Sequence, residues 1–332
     1  MDLSAAPGTR IDAPSAEGRA RLPLIDAVRG VAFLAMAIYH FAWDLGYFGY
    51  FATDVTVDLG WRIFARSIAG TFLALVGVSL VLASRNGFRR GRFLRRLGIL
   101  AAAAAAITGV TWFVFPDMFI FFGILHAIAV SSVLGLAFVR APIPLVIVAA
   151  ALCFLAPWFF SAPVFDAPAL WWLGLYTEAP RSVDYVPIFP WFGVVLAGIA
   201  AARTFPRLFS GQLGRPGMVK ARMLAPLAWA GRHSLPLYLL HQPVLFGLVY
   251  LAAQIVPPSL VGFEASYIES CTASCVGSEL DADLCRRTCG CLVEQTKSED
   301  LWSGLVGNTL TGDQITRYYE LADQCRAAGE AE

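Results

Sequence analysis

Two long stretches of this chain, 99–114 and Ile143–Phe160, carry no charged residue at all. Crossing a hydrocarbon core of about 30 Å takes about 20 predominantly apolar residues. Runs of this length and composition therefore read as membrane helices. Seven such stretches follow one another: 28–48, 63–83, 97–115, 119–139, 143–160, 188–203 and 235–256. Composition fits: 58% of the 332 residues are hydrophobic and 15% charged, where a soluble domain averages about 45–50% and about 25%. The expected architecture is all-α, a polytopic membrane bundle of about seven spans.

The charges are sorted rather than absent. Arg85, Arg89, Arg90, Arg92, Arg95 and Arg96 crowd the loop between the second and third spans, and Arg203, Arg207, Arg215, Lys220 and Arg222 follow the sixth. Arg140 lies between spans four and five, and Arg29 opens span one. With seven spans these all fall on one side, while the alternate loops 49–61 and 161–187 hold Asp54, Asp58, Asp166, Glu178 and Asp184 against only Arg181. Positive charge marks the cytoplasmic side, so the N-terminus is expected inside and the C-terminus outside. The net charge is only +1, and the arginine cluster is flanked by spans, so no nucleic-acid partner is expected. Residues 1–21 are polar with no apolar core, unlike a signal peptide, and read as a disordered cytoplasmic tail. The membrane domain is placed at 22–258.

Residues 262–332 differ in composition: polar, and holding six of the seven cysteines. Cys271 and Cys275 stand four apart, as do Cys285 and Cys289, and Cys291 and Cys325 complete the set. Positions i and i+4 share a helix face. Two antiparallel helices facing each other predict Cys271–Cys289 and Cys275–Cys285, with Cys291–Cys325 by elimination. Other pairings remain open on sequence alone. Zinc is the rival reading, and is weaker, because structural zinc sites favour C-x2-C spacing with histidine and no histidine lies beyond His241. No metal is expected. The tail reads as a small disulfide-stapled helical domain, consistent with the oxidising outer side. Cys153, within span five, reads as an inert buried thiol.

Ionisable groups inside a span are costly and are functional candidates by default. Three of the four histidines lie in spans: His40, His126 and His241. His40 stands 11 residues past Arg29, about 16 Å along a helix rising about 1.5 Å per residue. His126 and His241 fall at broadly similar depth, so convergence on one layer near the midplane is expected. Arg29, Phe33, Met36, His40 and Asp44 form one helical stripe. Asp44, a turn beyond His40, is placed either to orient that imidazole or to pair with Arg62 or Arg66 on span two. Arg66 sits too deep for a simple interface anchor.

The opening Ile25-Asp26-Ala27-Val28-Arg29-Gly30, with an apolar run to His40, resembles the R-x10-H opening of transmembrane acyltransferases. Further segments agree in order: Tyr39-His40-Phe41-Ala42-Trp43-Asp44-Leu45, Ala69-Gly70-Thr71-Phe72, Phe122-Gly123-Ile124-Leu125-His126, Asp184-Tyr185-Val186-Pro187-Ile188-Phe189-Pro190-Trp191-Phe192-Gly193, and Gly231-Arg232-His233-Ser234-Leu235-Pro236-Leu237-Tyr238-Leu239-Leu240-His241-Gln242-Pro243. Together they resemble the family of the catalytic domain of heparan-α-glucosaminide N-acetyltransferase, in its bacterial branch, over about 22–256. The 262–332 tail is not covered.

The resemblance implies transfer of an acetyl group from cytoplasmic acetyl-CoA to an amine or hydroxyl of a sugar-like acceptor outside, in a bacterial inner membrane. It places Arg29, Arg66 and Arg232 at the CoA phosphates, where guanidinium forks bind such anions. It places His40, Asp44, His126 and His241 at the chemistry, as base, acyl carrier or oxyanion support. Trp171, Trp172 and Tyr176 in the large outer loop are candidate sugar-stacking groups, or belt aromatics. The animal lysosomal members carry a proposed catalytic histidine after the first span; 49–61 has none, which leaves His40 as the candidate. A proton-coupled transporter and a non-catalytic scaffold, both compatible with buried His and Asp, stand as alternatives. Oligomeric state is not legible.

Overall fold

The computed structural model describes residues 23–51, 53–85, 87–209, 218–256, 260–277, 280–306 and 310–330. The proposed tail 1–21 and Arg215 lie outside them. The described residues are helical, with no strand among them. The membrane part comprises α1 (Pro23–Tyr47), α2 (Leu59–Ser84), α3 (Arg90–Val114), α4 (Ile124–Phe138), α5 (Ile143–Phe160), α6 (Ile188–Thr204), α7 (Met218–Arg232) and α8 (Ser234–Ile255). Among the described residues five helices (α1, α2, α3, α5 and α8) are long and apolar enough to cross a membrane, and α4 and α6 are shorter apolar helices. These seven correspond to the spans expected, in an integral membrane protein.

The centre is a four-helix cluster of α2, α4, α5 and α6, where Leu73, Val146, Val195, Leu196 and Ile199 are fully buried. Apolar side chains gain little from leaving lipid for protein, so close backbone packing through small residues must hold such helices together. Gly77 and Gly198 do this reciprocally. A Cβ on Gly77 would lie 2.1 Å from the Val195 carbonyl oxygen, and one on Gly198 would lie 2.3 Å from that of Ala74. At the arginine-rich end, Arg85 donates to the Ala202 carbonyl at 3.0 Å, and Arg203 donates to that of Ala141.

Two features depart from the sequence reading. The first is α7, a helix within what reads as a basic loop. Its charges and Pro226 hide it from an apolar-run search. It runs antiparallel to α1, with Gly30 against Leu227 and Gly231 against Asp26; a Cβ on either glycine would lie within 2.0 Å of a carbonyl oxygen. The second is the start of span four. Helix begins at Ile124, not 119, because Thr108 and Thr111 of α3 hold the preceding strand-like turn: the Thr108 hydroxyl donates to the Ile120 carbonyl at 2.6 Å, and the Ile120 N–H donates to the Thr111 hydroxyl at 3.0 Å.

Beyond the bundle lie α9 (Leu260–Val276), α10 (Ala282–Ser298), α11 (Trp302–Val306) and α12 (Gly312–Glu330). Disulfides join Cys271–Cys289, Cys275–Cys285 and Cys291–Cys325, the pairing that the i, i+4 hairpin geometry predicts. Leu292, Leu301, Leu321 and Cys325 form a small core, flanked by Tyr267 and Tyr318, whose hydroxyls share a 2.7 Å bond. The Asp281 carboxylate caps α10 by accepting from the Asp283 and Leu284 N–H groups, both at 3.0 Å. Cys153 is free and buried in α5.

Candidate active site

α1 and α8 run side by side in the same direction, and their polar residues meet in matched levels. At the lowest level Arg29 bonds the Asp26 carboxylate at 3.2 Å and the Ser79 hydroxyl of α2 at 3.4 Å. Arg29 and Arg232 line a cavity of about 440 Å³ together with Arg92, Arg95 and Arg96 of α3. A second, adjoining pocket adds Arg89. Cations gathered at one opening, with apolar walls behind them, make an anion-binding mouth, because low-dielectric walls strengthen the attraction. The walls are Phe72, Leu75, Ile99, Leu100, Ile124 and Leu125, and Tyr238 of α8 forms part of the lining. The family resemblance placed Arg66 here as well. It lies instead on an exposed face of α2 and does not line the cavity.

Next to Tyr238 the histidines meet. The rings of His40 and His241 lie 5.1 Å apart edge to face, and Phe33 and Tyr238 pack at 5.8 Å and 5.7 Å from the His241 ring. His241 Nδ1 is 2.7 Å from the Tyr238 carbonyl oxygen. A carbonyl only accepts, so Nδ1 carries the proton and Nε2 holds the lone pair. That Nε2 is buried and has no hydrogen-bond partner among the described residues.

One level further, Asp44 is completely buried, and its Oδ1 accepts from the Gln242 amide at 2.7 Å. The expected ion pair with Arg62 or Arg66 does not form; α8 rather than α2 supplies the partner, across 198 residues of sequence.

His126 is set apart from this pair. Because α4 starts at Ile124, His126 sits in its first turn, not at mid-helix. Its Nδ1 accepts from the Gly123 N–H at 3.2 Å, and its Nε2 is 3.3 Å from the Thr108 hydroxyl. That hydroxyl gives its own proton to the Ile120 carbonyl, so His126 Nε2 must be the donor. Both nitrogens are thus occupied in holding the α3–α4 turn. Three histidines on one layer reduce to a pair.

Asp184, in the outer loop before α6, accepts from the Ile124 N–H at 2.9 Å and receives the Tyr238 hydroxyl. It satisfies one of the orphan donors at the start of α4 and ties that helix to α8. Burial holds its carboxyl above the usual range, with the Ile124 and Tyr238 bonds pulling the other way. In the same loop Trp171 bonds the Asp166 carbonyl at 2.8 Å, and the Tyr185 hydroxyl bonds the Trp171 carbonyl at 2.5 Å. Trp171 therefore braces the loop on Phe121, and Tyr176 packs on Tyr185.

Residues 21–243 match the family described as heparan-alpha-glucosaminide N-acetyltransferase, catalytic. The chain belongs to this family. The match opens just before α1 and closes just after His241 and Gln242, so it takes in every level of the α1–α8 ladder and leaves out the disulfide-linked helices. The family's activity is that of a membrane acetyltransferase, and acetyl-CoA is its general donor. No curated protein and no solved structure matches the chain. Sequence reasoning did not assign Gln242, Tyr238 or Asp184, although all three lie in the motif segments quoted above. The available signal was spacing: Tyr238 and Gln242 bracket His241 at one helical turn on α8.

Proposed function

We propose that this protein moves an acetyl group from cytoplasmic acetyl-CoA to an amine or hydroxyl of a sugar-like acceptor on the opposite, periplasmic face of a bacterial inner membrane. The observation that carries this reading is the order of groups along α1 and α8: an arginine-lined mouth, then Tyr238, then the His40–His241 pair, then buried Asp44. Arginine forks suit the phosphates of the donor, and Arg29 and Arg232 are assigned to them. The arginine-rich loops argue for the cytoplasmic side, and the disulfides for an oxidising compartment on the other.

In this reading the pantetheine arm enters between α1, α3 and α8 and brings its thioester beneath the histidines. The acceptor lone pair adds to the thioester carbonyl carbon. Its proton passes to Nε2 of His241, which Tyr238 holds in the right tautomer. The tetrahedral adduct collapses with cleavage of the C–S bond, and the sulfur leaves with that proton. His40, edge-on to His241, supplies an N–H to the developing oxyanion. His126 supports the site by fixing the α3–α4 turn. Residues 22–258 act as the catalytic unit, and 262–332 as a separate periplasmic module.

Equilibrium binding of radiolabelled acetyl-CoA to detergent-purified protein tests the donor half. The parent is expected to bind, and Arg29→Gln with Arg232→Gln to bind at least tenfold more weakly. A parent protein with no affinity for acetyl-CoA would sink the proposal.

A further inference from the structure

The level above the histidines has three buried polar atoms with no partner among the described residues: Asp44 Oδ2, Gln242 Oε1 and His241 Nε2. All three are acceptors: a carboxylate oxygen, an amide oxygen whose own nitrogen is spent on Asp44, and the bare nitrogen of a tautomer fixed by Tyr238. Buried polar groups are nearly always satisfied. Three unmet acceptors on adjacent turns of two facing helices mark a place built to receive donors. The level is also collared by rings. Trp43 stacks on Tyr47 at 5.3 Å, and Phe115 and Phe246 pack against Tyr47 at 6.1 Å and 5.4 Å. Flat aromatic faces beside a few converging polar atoms suit a ring that has apolar C–H faces and hydrogen-bonding edges.

We propose that Asp44 and Gln242 form the acceptor subsite of the acetyltransferase, holding a substrate group rich in N–H or O–H donors and free of negative charge. The assignment rests on the acetyltransferase reading above. It changes the role of Asp44 from a partner of His40 to a contact for the substrate, and gives Gln242 a role of its own. Gln242 is bifunctional: its NH2 holds the carboxylate across the helix interface and its oxygen remains for the acceptor. A carboxylate facing the substrate repels an acidic sugar and favours a neutral or cationic one. Donor and acceptor then approach from opposite ends of the ladder, with the histidines between them.

The test uses the full chain in detergent, with glucosamine and glucuronic acid as probes and Asp44→Asn and Gln242→Leu as variants. Acetyl-CoA affinity is measured first and reports folding of the donor side; both variants are expected within twofold of the parent. Acetyl transfer to glucosamine is then expected to show a KM at least tenfold higher in each variant, with a smaller change in kcat. The parent is expected to prefer glucosamine to glucuronic acid by at least tenfold, and Asp44→Asn to narrow that preference. Loss of kcat at unchanged KM in both variants would overturn the assignment, since Asp44 would then act on the histidines. So would equal use of both probes by the parent. A parent that binds no acetyl-CoA would overturn the acetyltransferase reading itself, a distinct result.

Discussion

Gly77→Ala is expected to loosen the centre of the bundle, by an amount the geometry sets. The new methyl would meet the Val195 carbonyl oxygen at 2.1 Å and the Ile199 backbone nitrogen at 2.8 Å. Heavy atoms rest comfortably at about 3.5–4.0 Å, so α6 must move away from α2 by about 1 Å. A gap of about 0.5–1 Å forfeits a quarter to a half of each dispersion well across the interface. Leu73, Val195, Leu196 and Ile199, all fully buried, sit on that interface. Overpacking generally costs about 1–3 kcal/mol. Here both obstructing atoms are backbone, so the upper figure of about 3 kcal/mol is expected. At about 2–4 °C per kcal/mol for a chain of this size, the melting temperature in detergent should fall by about 6–12 °C. Gly98→Ala on α3 is the control, because nothing lies within 4 Å of its Cβ position. It should leave the melting temperature unchanged or raise it, since alanine is the better helix former by up to about 1 kcal/mol. The two melts can be followed by size exclusion after heating. A Gly77→Ala protein as stable as Gly98→Ala would refute the claim that α2 and α6 touch through backbone.

Three further outcomes follow from the site and the module. Acetyl-CoA binding should weaken as salt rises from low to about 0.5 M, because the screening length shortens below about 10 Å; affinity indifferent to salt would mean that the arginine mouth does not hold the donor. Reduction should release the C-terminal helices: each disulfide contributes about 2–4 kcal/mol, and three of them serve a small core. Protease cleavage within 260–330 should rise sharply in reductant while the bundle stays intact. In that module Arg317 holds Glu299 through bonds of 2.6 Å and 2.8 Å and pulls its carboxyl below the usual range. The pair therefore supports the fold above the ordinary carboxylate pKa of about 4.3 and loses that support as pH falls through the lowered value. Glu299→Gln should flatten the acid limb of the module's unfolding profile, and an unchanged limb would dismiss the pair.

What the sequence revealed depended on the range of the interaction. Spans were legible because an uncharged run is a local property, and the cysteine pairs because i, i+4 spacing leaves a short hairpin few ways to close. α7 was hidden because Lys220, Arg222 and Pro226 mask a helix whose reason to form is the glycine contact with α1. The depth of His126 was misread because the start of α4 is set by two threonines of another helix, not by hydrophobicity. His40 and Asp44 announced themselves as ionisable groups in a span, but the partner of Asp44 lies on α8, and no local pattern selects Gln242 over Arg62 or Arg66.

Acetyl transfer by the parent, His40→Ala and His241→Ala, each at saturating acetyl-CoA with glucosamine as acceptor, tests the central claim most directly. The account predicts that all three bind the donor alike and that transfer falls by about 100-fold or more in each variant, the usual scale for loss of a proton-transfer or oxyanion group. Transfer at the parental rate in both variants would contradict it, because the chemistry would then lie somewhere other than between α1 and α8.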